Sequence, residues 1–425
     1  MMKTVILLFF NAFFLFAQPL PLLLQKLEQQ NPEVLAARWE KRMAEEQAGS
    51  VRGLLWPSLT FNAGYNHVSE LARIDLPGLP GISPRTISLG QKDNYSLNLT
   101  AQYLLFNGFA TRALVDAAQI KSDISTTQLK ATQKQMALKT IALYRQIQGL
   151  RLNVKVLESD RKRRRLQLDK VKSLLANGFV RPVDTLAVKM GLLDVGQKIL
   201  DVKSRLFTLR QELNDLFGET VEVGEFVEGR APLPQLNLMQ VEQIQSLGLK
   251  EQLMGFQSRQ KRSGFYPRVA LTASYNYGNP GVDIINSNWM DYYILGVNLS
   301  WNLWEGRRQS HDLQAMDYAR RQIEVKKAAA ENRWRSRYRQ TAEEIKVLRD
   351  ALRLAEKRVQ LARRKWEILS AQLQEGNAAS KEVDDASLQI TQAELTVNAR
   401  KIALQSKQNE LEYLSGKPLS EWSVQ

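Results

Sequence analysis

Three acids fall within four residues at Glu382-Val383-Asp384-Asp385, and five bases run together at Arg161-Lys162-Arg163-Arg164-Arg165. Acids near a helix start favour the helix dipole. If symmetry multiplied the same carboxylates around confined water, they would favour cations and shift their own pKa values upward. The basic run is either a solvated helix face or a surface that receives acidic groups. His67 and His311 are isolated, which suits a strand face or a helix surface better than a metal site. With no Cys and two His, disulfides, thiolate nucleophiles and multi-histidine metal centres are excluded. There is no G-x-x-x-x-G-K-[ST] phosphate loop and no constellation of paired carboxylates for a hydrolase. The expectation is a protein that is not an enzyme, with no catalytic, cofactor-binding or metal residues.

The chain has 425 residues, 44% of them hydrophobic, with 59 Lys+Arg against 44 Asp+Glu and a formal charge of +15. That length suits roughly two or three domains. The basic balance would serve nucleic acid or anionic lipid, and location chooses between them. Lys3 precedes an apolar run from Val5 to Phe16, followed by Ala17-Gln18. This reads as an export signal over 1–17, because its core is well short of the roughly 20 residues that a spanning helix needs. Export argues against nucleic acid. No later stretch holds 18 consecutive apolar residues, so any membrane crossing must use strands.

The chain is internally duplicated. Asp93-Asn94-Tyr95-Ser96-Leu97 recurs 198 residues later as Asp291-Tyr292-Tyr293-Ile294-Leu295. Leu105-Phe106-Asn107-Gly108 returns as Leu303-Trp304-Glu305-Gly306 at that spacing, and so does Glu212 to Gly218 as Glu410 to Gly416. Pro57 through Asn66 matches Pro267 through Asn276 at a spacing of 210, so the difference falls in the connection between the paired segments.

Those segments alternate. Leu59, Phe61, Ala63 and Tyr65 oppose Thr60, Asn62, Gly64 and Asn66, and Tyr95 through Leu105 opposes Ser96, Asn98, Thr100 and Gln102. The copies from Val269 to Tyr275 and from Tyr293 to Trp301 do the same. Segments of about 10 to 13 residues have the length of tilted membrane strands, and their terminal aromatics suit interfacial girdles. The alternative is a half-buried sheet on a soluble domain. Against it, the polar faces are small and uncharged, as a wet lumen wall would be. Four strands cannot close a barrel when the smallest membrane barrels have about eight, so the subunit must oligomerise.

From Phe109 to Leu175 there is no Pro, and Gly149 is the only Gly. A helix of that length extends roughly 100 Å. The copy runs from Arg307 to Leu373, and apolar residues such as Leu143, Ile147, Leu150, Val154 and Leu157 keep a 3-4 rhythm. Arg161 and Arg164 interrupt this seam where the second copy has Val359 and Ala362. Gly178 and Gly376 mark tip turns, after which Pro182 to Phe217 and its counterpart fold back. These returns are about half as long as the outgoing helices, so Pro32 to Leu55 and Val241 to Phe265 must cover the remaining seam. Pro57, Pro267, Gly108 and Gly306 sit at the helix–strand junctions. The organisation is a signal peptide over 1–17, a first repeat over 18–217 and a connecting segment over 218–240, read as a small belt. A second repeat over 241–416 and a tail over 417–425 complete it.

Helix, two strands, long helix, Gly turn and half-length return helix, given twice, resembles the TolC-like outer-membrane efflux protein family. The resemblance implies an α+β membrane protein with four transmembrane strands per chain and long antiparallel coiled-coil helices. It further implies a homotrimer closing a 12-stranded β-barrel in outer-membrane lipid above an α-helical barrel in the periplasm. A periplasmic adaptor and an inner-membrane pump for efflux or type I secretion would be its partners. The family carries acids just after the second tip turn. Counted from Gly376, Glu382 and Asp385 fall on those positions, and Asp184 takes the first of them in the first repeat. Ala187 occupies the second, and Asp384 is an extra acid where an apolar residue is commoner. Arg161, Arg164 and Arg165 would form the surface that meets the adaptor. The competing reading is an exported coiled-coil scaffold or interaction protein without a pore.

Overall fold

A computed structural model describes residues 19–422 except 79, 82, 230, 231 and 284–287. The expected signal peptide over 1–17 lies outside the described residues. The helices are α1 (Leu20–Gln30), α2 (Pro32–Arg52), α3 (Ala110–Ala176), α4 (Pro182–Asp215), α5 (Glu242–Arg262), α6 (Arg308–Gln374) and α7 (Ser380–Ser415). The strands are β1 (Ser58–His67), β2 (Ala72–Leu76), β3 (Arg85–Leu89), β4 (Asp93–Phe106), β5 (Arg268–Asn279) and β6 (Met290–Ser300). Both outgoing helices, α3 and α6, are 67 residues long. None of the helices among the described residues is long and apolar enough to cross a membrane.

The chain divides into two compact units. One comprises Met1–Glu40, Thr126–Ser246 and Lys327–Gln425. Its core gathers Leu20, Leu23 and Leu27 of α1, Ile141 and Ile147 of α3 and Leu213 of α4. The connecting segment adds Val221 and Val223, and the tail adds Trp422. The segment is held by its backbone: Gly224 N–H donates to Tyr144 Oη at 2.7 Å, and Gln148 Nε2 donates to the Glu225 carbonyl at 2.8 Å. Further along the hairpins the seam continues as two smaller clusters, Leu157 with Val195 and Ile199, and Leu168 with Val171 and Val188.

α1 is an addition to the sequence expectation. Leu20, Leu23, Leu24 and Leu27 share one face of it and are buried, and each such side chain contributes about 1.5–3 kcal/mol of burial.

The other unit comprises Lys41–Ser125 and Leu247–Lys326. It holds a four-stranded antiparallel sheet in the order β1-β4-β5-β6 and a separate hairpin, β2-β3. The hairpin was not expected, and it lies in the connection that carries Pro77-Gly78. Each strand-forming half is entered in the same way. A 3₁₀ turn follows α2 at Gly53–Leu55 and α5 at Ser263–Phe265, and Pro57 or Pro267 then precedes the strand. β6 stops at Ser300, one residue short of the expected Trp301, because its partner ladder begins at Arg268. Pro267 has no N–H to extend the ladder. Trp301 instead donates its indole N–H to the Phe265 carbonyl at 3.1 Å.

Candidate functional site

The sheet sorts its residues by register. Phe61 pairs with Leu99, Leu99 with Tyr275 and Tyr275 with Tyr293, giving one row across all four strands. The neighbouring row on that face is Leu59, Ala101, Ala273 and Leu295. The opposite face carries Asn62, Asn98 and Asn276, then Thr60, Thr100 and Ser274, and on β6 these two rows end in Tyr292 and Ile294. Asn98 Nδ2 donates to Asn276 Oδ1 at 2.5 Å, so the amides satisfy one another across β4 and β5. The apolar rows are exposed: Leu295 is 69% accessible and Phe61 65%. Apolar rows on one face and uncharged polar rows on the other, with charges only at the strand ends (His67, Asp93 and Asp291 on the first face, Arg268 on the second), let the sheet separate lipid from water. Near one end of the sheet Tyr65, Tyr95, Trp289 and Tyr277 stand in line, with successive ring centroids 5.1, 5.8 and 5.0 Å apart, as an interfacial girdle requires.

At the strand-to-helix junctions the chain turns through two successive left-handed residues, Gly108-Phe109 and Gly306-Arg307. At Gly108, with φ +63°, a Cβ would lie 2.8 Å from both the Ser263 carbonyl oxygen and Tyr266 Cβ. The same position at Gly306 is open. The junction is therefore glycine for two reasons in the first repeat and for one in the second.

The tip turns repeat as well. Gly178 and Gly376 have φ +77° and +74°. Each closes its helix with a paired return bond, Phe179 N–H to the Leu174 carbonyl and Asn377 N–H to the Gln372 carbonyl. Just beyond, Asp184 accepts from the Arg181 N–H at 3.0 Å and Glu382 from the Ala379 N–H at 3.1 Å. Both acids cap the first turn of a return helix, with Glu382 exposed and Asp184 half-buried. Asp385 is exposed, one turn along α7.

The structure separates the basic run. Arg161 and Arg165 are exposed, whereas Arg164 is 4% accessible and is not a surface residue. Its Nε lies 3.3 Å from Asp160 Oδ2, and its Nη1 donates to Asp384 Oδ1. This corrects the expectation of an adaptor surface at Arg164: a guanidinium in the seam needs carboxylates, and Asp160 and Asp384 supply them. Asp160 also accepts from Ser387 Oγ at 3.1 Å, and Arg163 donates to Thr391 Oγ1 at 2.8 Å. Burial raises the Asp384 carboxyl above its ordinary range, with the Arg164 guanidinium pulling the other way. The extra acid after the second turn thus faces the seam.

Both repeats are recognised by comparison. The profile of the outer membrane efflux protein family matches residues 23–219 and 233–417. The chain belongs to that family. It is an outer-membrane channel component of an efflux system, which decides against a poreless scaffold. A search of curated proteins finds no significant match. Among solved structures, VceC of Vibrio cholerae is 17% identical at a TM-score of 0.79, covering 93% of this chain and 94% of its own. The CmeC channel of Campylobacter jejuni is 14% identical at 0.80, covering 93% and 85%. The open-state MtrE channel of Neisseria gonorrhoeae is 14% identical at 0.77, covering 94% and 89%. The fold is that of one protomer of a trimeric channel, in which four strands per chain close a 12-stranded barrel and the long helices close an α-helical barrel. The family is one of ducts, not of enzymes, and its homotrimers work with adaptors and inner-membrane pumps.

Proposed function

We propose that three copies of this chain, exported by the 1–17 leader and built from the halves 18–217 and 241–416, form a passive exit duct. No reaction occurs in it. Cargo is kept from lipid by the sheet's apolar face and passes along the polar one, while an inner-membrane pump supplies energy through a periplasmic adaptor. Glu382, Asp385 and Asp184 ring the tip and hold it narrow and cation-preferring. Arg161 and Arg165 remain the exposed bases that an acidic adaptor surface would meet.

The single observation that supports this most is the sheet register, with asparagine and threonine rows across β1, β4 and β5 on one face and bare Leu, Phe and Tyr rows across all four strands on the other. The test is purification of the full chain in detergent, followed by planar bilayer recording. A heat-modifiable trimer with stepwise conductance is expected. A monomer that dissolves without detergent and passes no current would overturn the proposal.

A further inference from the structure

Among the described residues, the polar face of the four-stranded sheet carries a single charged side chain. Arg268 opens β5 and pairs with Ser300, which closes β6. Ala270, Thr272, Ser274 and Asn276 follow on the same face at alternate positions. The acids of these four strands, Asp93 and Asp291, pair with His67 and Tyr277 on the opposite, apolar face. Nothing on the polar wall therefore offsets the charge of Arg268.

The guanidinium is exposed, and it makes no ion pair or side-chain hydrogen bond among the described residues. The acids that follow the sheet are committed to other bases: Glu305 lies 2.8 Å from Arg308, and Asp312 lies 3.1 Å from Lys261. The strand does not need an arginine in order to start. At the spacing of 210, Arg268 corresponds to Ser58, which follows Pro57 as Arg268 follows Pro267. Ser58 also lies on the polar face, opposite Gln102, and its Oγ donates to the Gln102 carbonyl at 3.5 Å. The charge is thus a departure of the second repeat from the first.

Three-fold symmetry multiplies that departure. In a 12-stranded barrel, strands about 4.8 Å apart and tilted about 40° give a circumference of about 75 Å and a radius of about 12 Å. An arginine reaches inward roughly half that radius, which leaves each guanidinium about 6 Å from the axis, inside the Debye length of about 8 Å at physiological salt. An ion crossing this level is screened from none of the three. In water, three such charges enrich a monovalent anion on the axis about fivefold.

We propose that Arg268 of the three copies forms a cationic ring at the end of the barrel that joins the helices, and that this ring makes the barrel favour cargo bearing a negative charge. The proposal rests on the duct reading and adds specificity to its wall, with a sign opposite to that of the tip acids. The cargo it suits is a small molecule carrying a carboxylate or phosphate, which a guanidinium meets with paired N–H donors.

The test is the reversal potential of the full-length channel in planar bilayers under a KCl gradient. Arg268→Gln should raise the ratio of K+ to Cl− permeability about twofold or more, and Arg268→Lys should keep the wild-type ratio. Ser58→Arg, which doubles the charge on the polar wall, should lower the ratio. Inorganic tripolyphosphate should cause brief blockades of the wild-type current that Arg268→Gln abolishes. An Arg268→Gln channel with the wild-type ratio and persistent blockades, or a Ser58→Arg channel with an unchanged ratio, overturns the ring while the duct stands. A wild-type protein that passes no current overturns the duct reading, and the ring with it.

Discussion

Arg164 of α3 and Asp384 of α7, 220 residues apart, form an ion pair where the corresponding seam position of the second repeat is Ala362. The guanidinium is also shared with Asp160, which is 1% accessible. Two departures from the repeat, a base in the first long helix and an acid in the second return helix, are therefore halves of one contact. The pair ties two hairpins together close to the tip turns.

Replacing Arg164 by the alanine of the second repeat removes the only cation that bridges Asp160 and Asp384 among the described residues. Arg163 stays 3.4 Å from Asp160 but does not reach Asp384. Loss of one partner from a buried pair costs about 3–5 kcal/mol. Arg164→Ala should be the most damaging change in this cluster. Asp384→Asn should cost far less, because Arg164 keeps Asp160 and the buried carboxylate charge is gone. Thermal unfolding of both variants checks this, and equal losses would contradict the arrangement.

The raised Asp384 pKa gives the pH dependence its sign. Burial makes the native state favour the protonated form, with Arg164 opposing. This carboxyl therefore adds stability below its ordinary range, and the contribution is lost as pH rises through the raised value. Going from about pH 7 down to about pH 4, the wild type should gain stability relative to Asp384→Asn. Parallel melting-temperature curves for the two proteins over that range would show that Asp384 does not titrate as described.

Much of this arrangement is legible in residue order because it is local or repeated. The strands follow from period-two alternation between Pro57 and Asn66 and in its copy, and the tip turns from Gly178 and Gly376. What escaped is different in kind. Leu20, Leu23, Leu24 and Leu27 have clear helical spacing, but they follow directly on the apolar leader and merge with it. β2 and β3 have five residues each, too few for alternation to stand out beside a Pro-Gly connection. Arg164 and Asp384 are both visible as anomalies, yet no periodicity can pair residues 220 apart. The capping bonds of Asp184 and Glu382 correspond to the helix-dipole alternative, and a capping acid that stays exposed can still face a lumen.

That double role gives the tip its own test. Glu382→Gln with Asp385→Asn removes six charges from a trimer and keeps the side-chain sizes. If these acids line a constriction, their mutual repulsion and cation attraction are lost. Single-channel conductance should rise and cation preference should weaken, measured in planar bilayers under a salt gradient. A glutamine at position 382 can still accept from the Ala379 N–H, so the stability loss expected beside it is only the charge–dipole part, about 0.3–1 kcal/mol. Unchanged conductance and selectivity with that stability loss would leave capping as its whole role.

The faces of the sheet can be separated by one substitution on each. Leu295 pairs with Ala273 on the apolar face, and Ser274, the next residue along β5, points to the polar face. An arginine in place of Leu295 would enter hydrocarbon, at about 2–4 kcal/mol near the middle of the bilayer. Leu295→Arg should reduce the amount of heat-modifiable trimer in outer-membrane fractions. Ser274→Arg should assemble normally, because its guanidinium stays in water, and three such charges in a 12-stranded barrel should lower cation conductance. The reverse result, with Ser274→Arg blocking assembly and Leu295→Arg altering current, would mean that the sheet closes with its asparagine and threonine rows toward lipid.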